Sequence, residues 1–131
     1  MESLIRNSNQ TKQGIDFTGV ENGKIHPTDI DAVLEFDNEA LILIEVKRKG
    51  SKLPLGQRLL LERLCDSWHT EKSIVLYTTF SDAPETEDIP LNNCVIAGCY
   101  YNKKWIRVSD KPLKKALNKI GDTWNINKLS L

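Results

Sequence analysis

The sequence predicts a mixed α/β (α+β) fold, with a central mixed β-sheet flanked by helices. Strand-like and helix-like segments alternate along its 131 residues in the order strand, strand, helix, strand, strand, strand, helix. The second strand, Leu41–Lys47, is apolar almost to its end, as expected of a strand covered on both faces. The length suits one domain spanning residues 1–131, with room for one sizeable core.

The chain begins with a polar segment, Met1–Pro27, in which we predict no element beyond a possible short helix. Asp31–Phe36 then alternates apolar and polar residues with the period of a half-buried strand. Asp37–Asn38–Glu39 is typical of a turn, and Leu41–Lys47 follows it. These two strands form a predicted hairpin.

The middle of the chain predicts a helix followed by a strand. Apolar residues recur at helical spacing up to His69, and Pro54 suits the start of that helix. Ser73–Phe80 is rich in β-branched and aromatic residues and predicts the third strand. The next segment, Ser81–Asn93, is acidic and contains two prolines, so we expect an exposed and mobile loop.

The last third predicts a second hairpin and a final helix. Cys94–Tyr101 and Trp105–Val108 have strand-like composition, and Asn102–Lys103–Lys104 predicts the turn between them. Leu113–Ile120 has helical periodicity, and Gly121 is the expected stop. Five strands and two helices result from these assignments.

The composition excludes several classes of protein. Apolar residues make up 40% and charged residues 27% of the chain, which are ordinary globular values. No segment has the character of a signal peptide or a membrane span, so we expect a cytoplasmic protein with no membrane partner. The three cysteines form no CxxC pair and lack zinc-ligand spacing, which favours reduced thiols.

The net charge is zero, but the charges are unevenly distributed. Cations dominate two segments, Glu45–Arg63 and Tyr100–Lys119, whereas acid is concentrated in Asp29–Glu39 and in the loop after Phe80. Two basic segments around an acidic cluster suit a protein that holds phosphates and a divalent cation together; ordinary solvated faces are the alternative. The candidate nucleic-acid contacts are Arg48, Lys49, Lys52, Arg58, Lys103 and Lys104.

Three side chains at one end of the first hairpin are the candidates for catalysis. Glu45 and Lys47 are two residues apart in a strand, so both project from the same face. Asp31 opens the neighbouring strand, and the hairpin brings the start of that strand beside the end of the next. We therefore expect Asp31 and Glu45 to be close neighbours.

Two carboxylates at close range repel each other, and one of them stays protonated unless they share a cation. Oxygen ligands without a cysteine or a well-placed histidine select a hard ion, Mg²⁺ or Mn²⁺. Lys47 beside that ion can orient or deprotonate a water molecule, or neutralise charge at a phosphorus centre. Taken alone, Glu-x-Lys is also common on exposed strands as a solvated charge pattern, and the added Asp31 is what favours catalysis.

The arrangement resembles the PD-(D/E)XK nuclease superfamily, which has a restriction-endonuclease-like fold. Pro27–Val33, a short hairpin and then Ile44–Lys47 carry the resemblance. Gly56–Gln57 follows at the start of the next helix, where several branches of the superfamily have a glutamine. Gln57 also suits a structural role as a hydrogen-bonding residue at the start of the helix. The resemblance covers Ile25–Trp68, under half of the chain.

The resemblance implies hydrolysis of phosphodiester bonds with Mg²⁺ or Mn²⁺ as the cofactor. In that interpretation Asp31, Glu45 and the carbonyl group of Val46 hold the metal. Lys47 assists the attacking water molecule, and Gln57 completes the catalytic set.

The superfamily's Pro-Asp dipeptide is replaced here by Pro27–Thr28–Asp29, which leaves two candidate aspartates. We prefer Asp31, because it precedes an apolar strand and lies closer to Glu45. Asp29 is the reserve metal ligand, and Glu21 is a further candidate upstream.

Three hypotheses of function follow. The first is an active DNA endonuclease or exonuclease of a small phage-type or mobile-element-type kind. The second is a catalytically inactive nuclease-fold module for DNA binding or assembly, because a fold does not determine a function. The third is an unrelated α/β protein in which Glu45 and Lys47 are solvated charges. The sequence leaves DNA versus RNA open, and a homodimer that pairs two sites is possible.

Overall fold

The computed structural model of the protein describes residues 15–24, 27–81 and 87–131. These residues contain five strands, two α-helices and one short 3₁₀ turn. In chain order they are β1 (Ala32–Phe36), β2 (Ala40–Arg48), α1 (Leu55–Ser67), β3 (Ser73–Phe80), the 3₁₀ turn (Leu91–Asn93), β4 (Val95–Tyr101), β5 (Lys104–Pro112) and α2 (Leu113–Trp124). The predicted order of strands and helices is confirmed.

The five strands form one sheet in the order β1-β2-β3-β4-β5. β1 and β2 pair antiparallel, with Ala32 opposite Ile44. β2 and β3 pair parallel, with Glu45 opposite Tyr77, and α1 lies in the connection between them. The pairs β3–β4 and β4–β5 are again antiparallel. The predicted mixed sheet and α+β class are therefore confirmed.

Both hairpins turn through residues with positive φ. Asp37 and Asn38 have φ of 51° and 60°, and Asn102 and Lys103 have φ of 51° and 62°. Two consecutive residues of this kind are typical of a type I′ turn, whose twist matches that of the flanking strands. Both turns lie where the sequence predicts them, although Lys104 already belongs to β5.

Alternate residues of the strands face opposite sides of the sheet, and each side has its own hydrophobic core. The larger core lies between the sheet and α2 and comprises Ile42, Ile44, Ile74, Leu76, Ile96, Leu113, Ala116, Leu117 and Leu129. The smaller core lies under α1 and comprises Leu43, Leu61, Cys65, Val75 and Tyr100. Glu45 and Lys47 have the same parity as Leu43, so they lie on the α1 side of β2.

Two aromatic side chains attach α1 to the distant strands of the sheet. The Tyr100 hydroxyl donates to the Asp66 carboxylate at 2.9 Å, and Trp105 Nε1 donates to Glu62 Oε2 at 2.7 Å. Burial and the hydrogen bond to Asp66 raise the pKa of Tyr100 to about 12. These bonds fix the position of α1 over β4 and β5.

Gly121 does not end the last helix, contrary to the prediction. α2 continues to Trp124, and the left-handed residue Asn125, with φ of 57°, ends it. Gly121 is buried, and a Cβ atom there would overlap the carbonyl oxygen of Leu129. The glycine is required for the close approach of the C-terminal segment to the helix.

Two other boundaries differ from the prediction by more than one residue. α1 ends at Ser67, because Trp68 has an extended backbone with ψ of 140°. β5 runs four residues beyond the predicted end at Val108, to Pro112, because Pro112 still pairs with Val95 of β4.

Residues 1–14, 25–26 and 82–86 lie outside the described residues. The expected short helix near the start and the middle of the expected mobile loop fall largely on these segments. The described residues Ile15–Lys24 contain no helix or strand. Neither α1 nor α2 is long and apolar enough to cross a membrane.

Candidate active site

Asp31 lies directly before β1, at the end of the sheet where β2 finishes. Since Ala32 pairs antiparallel with Ile44, Asp31 lies opposite Glu45. Asp31 Oδ2 accepts a hydrogen bond from the backbone N–H of Val46 at 2.7 Å. This bond holds the carboxylate against β2, next to Glu45.

Glu45 is a buried carboxyl group, only 2% exposed. The Thr78 hydroxyl donates to the backbone carbonyl oxygen of Glu45 at 2.9 Å and fixes the strand beneath the side chain. Burial, reinforced by the charge of Asp31 and by a hydrogen bond between the two carboxyl groups, raises the pKa of Glu45 to about 7; Lys47 opposes this shift. Near neutral pH the Glu45 carboxyl group is thus balanced between its protonated and ionised forms.

Lys47 completes the predicted trio. It lies two residues after Glu45 on the same face of β2, and its Nζ atom is 3.6 Å from Glu45 Oε1. Its side chain is 26% exposed, so the ammonium group can contact a bound anion from the solvent side. The structure therefore brings Asp31, Glu45 and Lys47 to one place on one face of the sheet.

Tyr77 joins this group, although no pattern in the sequence points to it. It lies opposite Glu45 in the parallel β2–β3 ladder, and its hydroxyl donates to the Ser51 carbonyl oxygen at 2.7 Å. Burial and the charge of Glu45 raise the pKa of Tyr77. The predicted strand contained this tyrosine, but only the register of the parallel pair shows that it faces Glu45.

Gln57 lies in the first turn of α1 and is half-buried. Its Oε1 atom is buried and has no hydrogen-bond partner among the described residues. An unpartnered buried acceptor typically costs about 1–3 kcal/mol of stability. A water molecule or a ligand that donates a hydrogen bond is the chemically suited partner.

The two reserve metal ligands, Asp29 and Glu21, do not join the acid pair. Both are exposed. Within residues 15–24, 27–81 and 87–131, no three His, Cys, Asp or Glu side chains lie close enough together to hold a metal ion. In this part of the chain the acidic site is a pair, Asp31 and Glu45.

The chemistry of this pair fits a hard divalent cation. Its donors are carboxylate oxygens, and a shared cation would relieve the desolvation and the repulsion by Asp31 that raise the pKa of Glu45. Magnesium usually binds proteins through one or two carboxylates and keeps several water ligands. Two carboxylates are therefore a sufficient protein contribution to such a site.

The candidate nucleic-acid contacts fall into two separate groups. The first group lies around the end of β2 and the start of α1, at the same end of the sheet as the acid pair, and comprises Arg48, Lys49, Lys52 and Arg58. Lys103 and Lys104 form the second group, at the β4–β5 turn. The ladder places Lys104 level with the start of β3, roughly 17 Å from Glu45 by strand spacing.

Some of these cations already have partners. The Arg48 guanidinium lies 4.9 Å from the centre of the Phe80 ring, and Lys49 Nζ lies 3.9 Å from an oxygen of Asp110. Both of these arrangements are on the surface, where a phosphate can compete for the cation.

The chain matches no family model, no curated protein and no solved structure. The likeness to the PD-(D/E)XK superfamily stays a prediction that the motif residues carry. The Asp31–Glu45 pair and its surroundings supply the remaining support for a function.

Proposed function

We propose that this protein is a metal-dependent nuclease that hydrolyses phosphodiester bonds of DNA, as an endonuclease or exonuclease. The observation that carries the proposal is the buried Glu45 carboxyl group beside Asp31, with Lys47 Nζ 3.6 Å away. Burying one carboxylate against another lowers stability at neutral pH, and such arrangements cluster at functional sites.

The proposal includes a restriction-endonuclease-like fold. In support, a mixed sheet has a helix on each face, and the acid pair lies at the open end of its first hairpin. The parallel β2–β3 pair lies in the interior of the sheet and carries Glu45, Lys47 and Tyr77. A site built on strands is held more rigidly than one built on loops.

Asp31, Glu45 and the carbonyl group of Val46 would hold Mg²⁺ or Mn²⁺. When bound, such an ion lowers the pKa of water and stabilises negative charge on phosphate oxygens. The protein prepares its own part of the site in advance. The Val46 N–H orients Asp31, and the Thr78 hydroxyl fixes the backbone at Glu45.

Lys47 acts on the phosphate and on the attacking water molecule. Its ammonium group lies at the acid pair, where it offsets the charge that develops on the phosphate oxygens. It can also orient a water molecule for in-line attack. Gln57 belongs to the proposed catalytic residues as a hydrogen-bond acceptor. Its Oε1 atom can accept from a water molecule or a ligand, because it lacks a partner among the described residues.

The test uses the purified protein with supercoiled, linear, branched and single-stranded DNA in Mg²⁺ or Mn²⁺. We expect metal-dependent cleavage that falls by about 100-fold or more in Asp31→Asn, Glu45→Gln and Lys47→Ala. Glu39→Gln is the matched control, because it neutralises an exposed carboxylate at the other end of β2. Equal activity in all four variants would refute the assigned site.

A catalytically inactive nuclease-fold module that binds DNA or serves in assembly is the second candidate. One observation favours it: Lys47 Nζ lies 3.6 Å from Glu45 Oε1, so an internal ion pair can neutralise the Glu45 carboxylate without a metal ion. Calorimetric titration with Mn²⁺ separates the two candidates. Absence of Mn²⁺ binding, together with retained DNA affinity, would favour the inactive module.

A further inference from the structure

A row of residues on the α1 side of the sheet extends from the acid pair across the other strands. Glu45 lies opposite Tyr77, Tyr77 lies opposite Gly98, and Gly98 lies opposite Arg107. Strands are about 4.8 Å apart, so the row from Glu45 to Arg107 is roughly 14 Å long. Gly98 has no side chain, which leaves the row open at its middle and forms a groove there.

The groove contains a pocket of about 300 Å³, at the small end of the range for ligand pockets. Its lining residues are Lys52, Leu53, Arg58, Tyr77, Gly98 and Trp105. Two aromatic rings and two cations are among them, and no acidic residue is. Aromatic rings stack on nucleic-acid bases and cations pair with phosphates, so this combination suits one nucleotide.

Glu62 of α1 holds two of these side chains in place. Its Oε2 atom accepts the hydrogen bond from Trp105 Nε1 at 2.7 Å and lies 3.2 Å from Arg58 Nε. Tyr100 supports the Trp105 ring from within the core, with the ring centres 5.3 Å apart. The indole is therefore oriented before a ligand arrives, which reduces the entropy that binding would cost.

We propose that this groove holds an unpaired strand of nucleic acid, with one nucleotide in the pocket and the adjoining phosphate at the Asp31–Glu45 pair. The inference rests on the proposed function, which places a phosphate at that pair, and adds the substrate class: single strands, overhangs or flaps. In a duplex, stacking covers the base faces and only the edges are accessible in the grooves. The rings of Tyr77 and Trp105 can stack only on an unpaired base.

Arg107 extends the same groove beyond the pocket. It is exposed on β5, opposite Gly98, at the end of the row furthest from Glu45. A strand that enters at the acid pair and crosses the pocket brings a later phosphate to this guanidinium. Lys52 and Arg58 thus lie at the pocket and Arg107 lies beyond it. This spread of cations suits a single strand, whose phosphates are regularly spaced.

Fluorescence anisotropy in EDTA measures binding in the pocket and at Arg107, without a metal ion at the acid pair and without cleavage. The probes are labelled oligothymidylate and oligouridylate of about 15 nucleotides and a duplex of equal length. We expect the single strands to bind at least about 10-fold more tightly than the duplex and to quench tryptophan fluorescence. Trp105→Phe should reduce the quenching while the protein stays folded.

Two double variants that remove equal charge provide the matched comparison. Lys52→Ala/Arg58→Ala should lose about 10-fold or more of the single-strand affinity, because both side chains line the pocket. Lys103→Ala/Lys104→Ala should lose less than about twofold, because these lysines lie at the other end of the sheet. Tighter binding of the duplex, equal losses in the two double variants or unchanged quenching in Trp105→Phe would overturn the inference.

Two outcomes separate strand binding in the groove from nuclease activity. Single-strand preference with the expected variant pattern, but no cleavage of any DNA, would support the groove and remove the catalytic function. Cleavage that depends on Glu45 but not on Lys52 and Arg58 would support the nuclease function and overturn strand binding in the groove. A preference between oligothymidylate and oligouridylate would identify which nucleic acid supplies the strand.

Discussion

The ionisation of Glu45 is linked to the stability of the fold. Its pKa is about 7 in the folded protein, against 4.5 for an ordinary glutamate, so the folded protein binds this proton more tightly than the unfolded chain does. Where the folded state binds more protons, the free energy of unfolding decreases as pH rises. We therefore expect stability to fall between pH 4.5 and about 7, and to stay lower above that range.

Glu45→Gln should remove this loss of stability. One or two pH units above the Glu45 pKa, we expect the variant to be more stable than the wild type by about 1–3 kcal/mol, because an amide avoids burying a charge beside Asp31. Below pH 4.5 the two proteins should differ little. Urea unfolding at both pH values measures the difference, and a variant that is less stable than the wild type at high pH would contradict burial as the cause.

Single residues of the site differ in how well the sequence predicts them. Asp31, Glu45 and Lys47 could be predicted, because a hairpin with a short turn places the start of one strand beside the end of the next. Tyr77 and Trp105 could not, because their positions depend on the pairing of strands that are distant in sequence. Local geometry is encoded in spacing, whereas strand register depends on the packing of the whole sheet.

The elements show the same division. The bounds of β3 agree with the prediction at both ends, because a compact run of β-branched and aromatic residues is bounded by polar ones. β5 was predicted too short, because Ser109 and Asp110 interrupt its apolar pattern. Asp110 has a φ of 30° and lies where the β4–β5 register shifts. An irregularity of this kind has no signal in hydrophobic periodicity.

At Gly121 within α2, close packing and helix propensity favour different residues. Alanine is intrinsically better than glycine in a helix by about 1 kcal/mol. A Cβ atom at residue 121 would nevertheless overlap the Leu129 carbonyl oxygen and lie 3.1 Å from Leu129 Cβ. We expect Gly121→Ala to destabilise the protein by about 1–3 kcal/mol in urea unfolding.

The matched control for that substitution is Lys115→Ala, at an exposed position of the same helix. It should change the free energy of unfolding by less than about 0.5 kcal/mol. If Gly121→Ala were instead as stable as the wild type, the C-terminal segment around Leu129 would not need its close contact with α2.

At the scale of the whole molecule the net charge is zero, so attraction for a polyanion depends on where the charges lie. The acid pair and the cations at the start of α1 share one end of the sheet, whereas Lys103 and Lys104 lie near the other end. The sequence located both basic segments. It could not show that only one of them adjoins the site, because that depends on the strand order.

Binding of Mg²⁺ to the acid pair should raise the thermal stability of the whole protein above pH 7. An ion that binds only the folded state contributes about 1.4 kcal/mol at ten times its Kd. For a chain of this length the corresponding rise in Tm is roughly 3–6 °C. Calorimetric scans with Mg²⁺ or EDTA should show the rise in the wild type and its loss in Asp31→Asn and Glu45→Gln. Equal shifts in all three proteins would place the ion elsewhere.

The parallel pair of β2 and β3 sets an order of assembly. A hairpin such as β1–β2 closes within about 1–10 μs, whereas β3 can pair with β2 only after residues 49–72 have crossed the sheet. We therefore expect Asp31 and Glu45 to meet first while water still surrounds both. The unfavourable burial of Glu45 beside Asp31 begins only later, when β3 and α1 dock on β2. Formation of the β1–β2 hairpin should therefore depend little on pH.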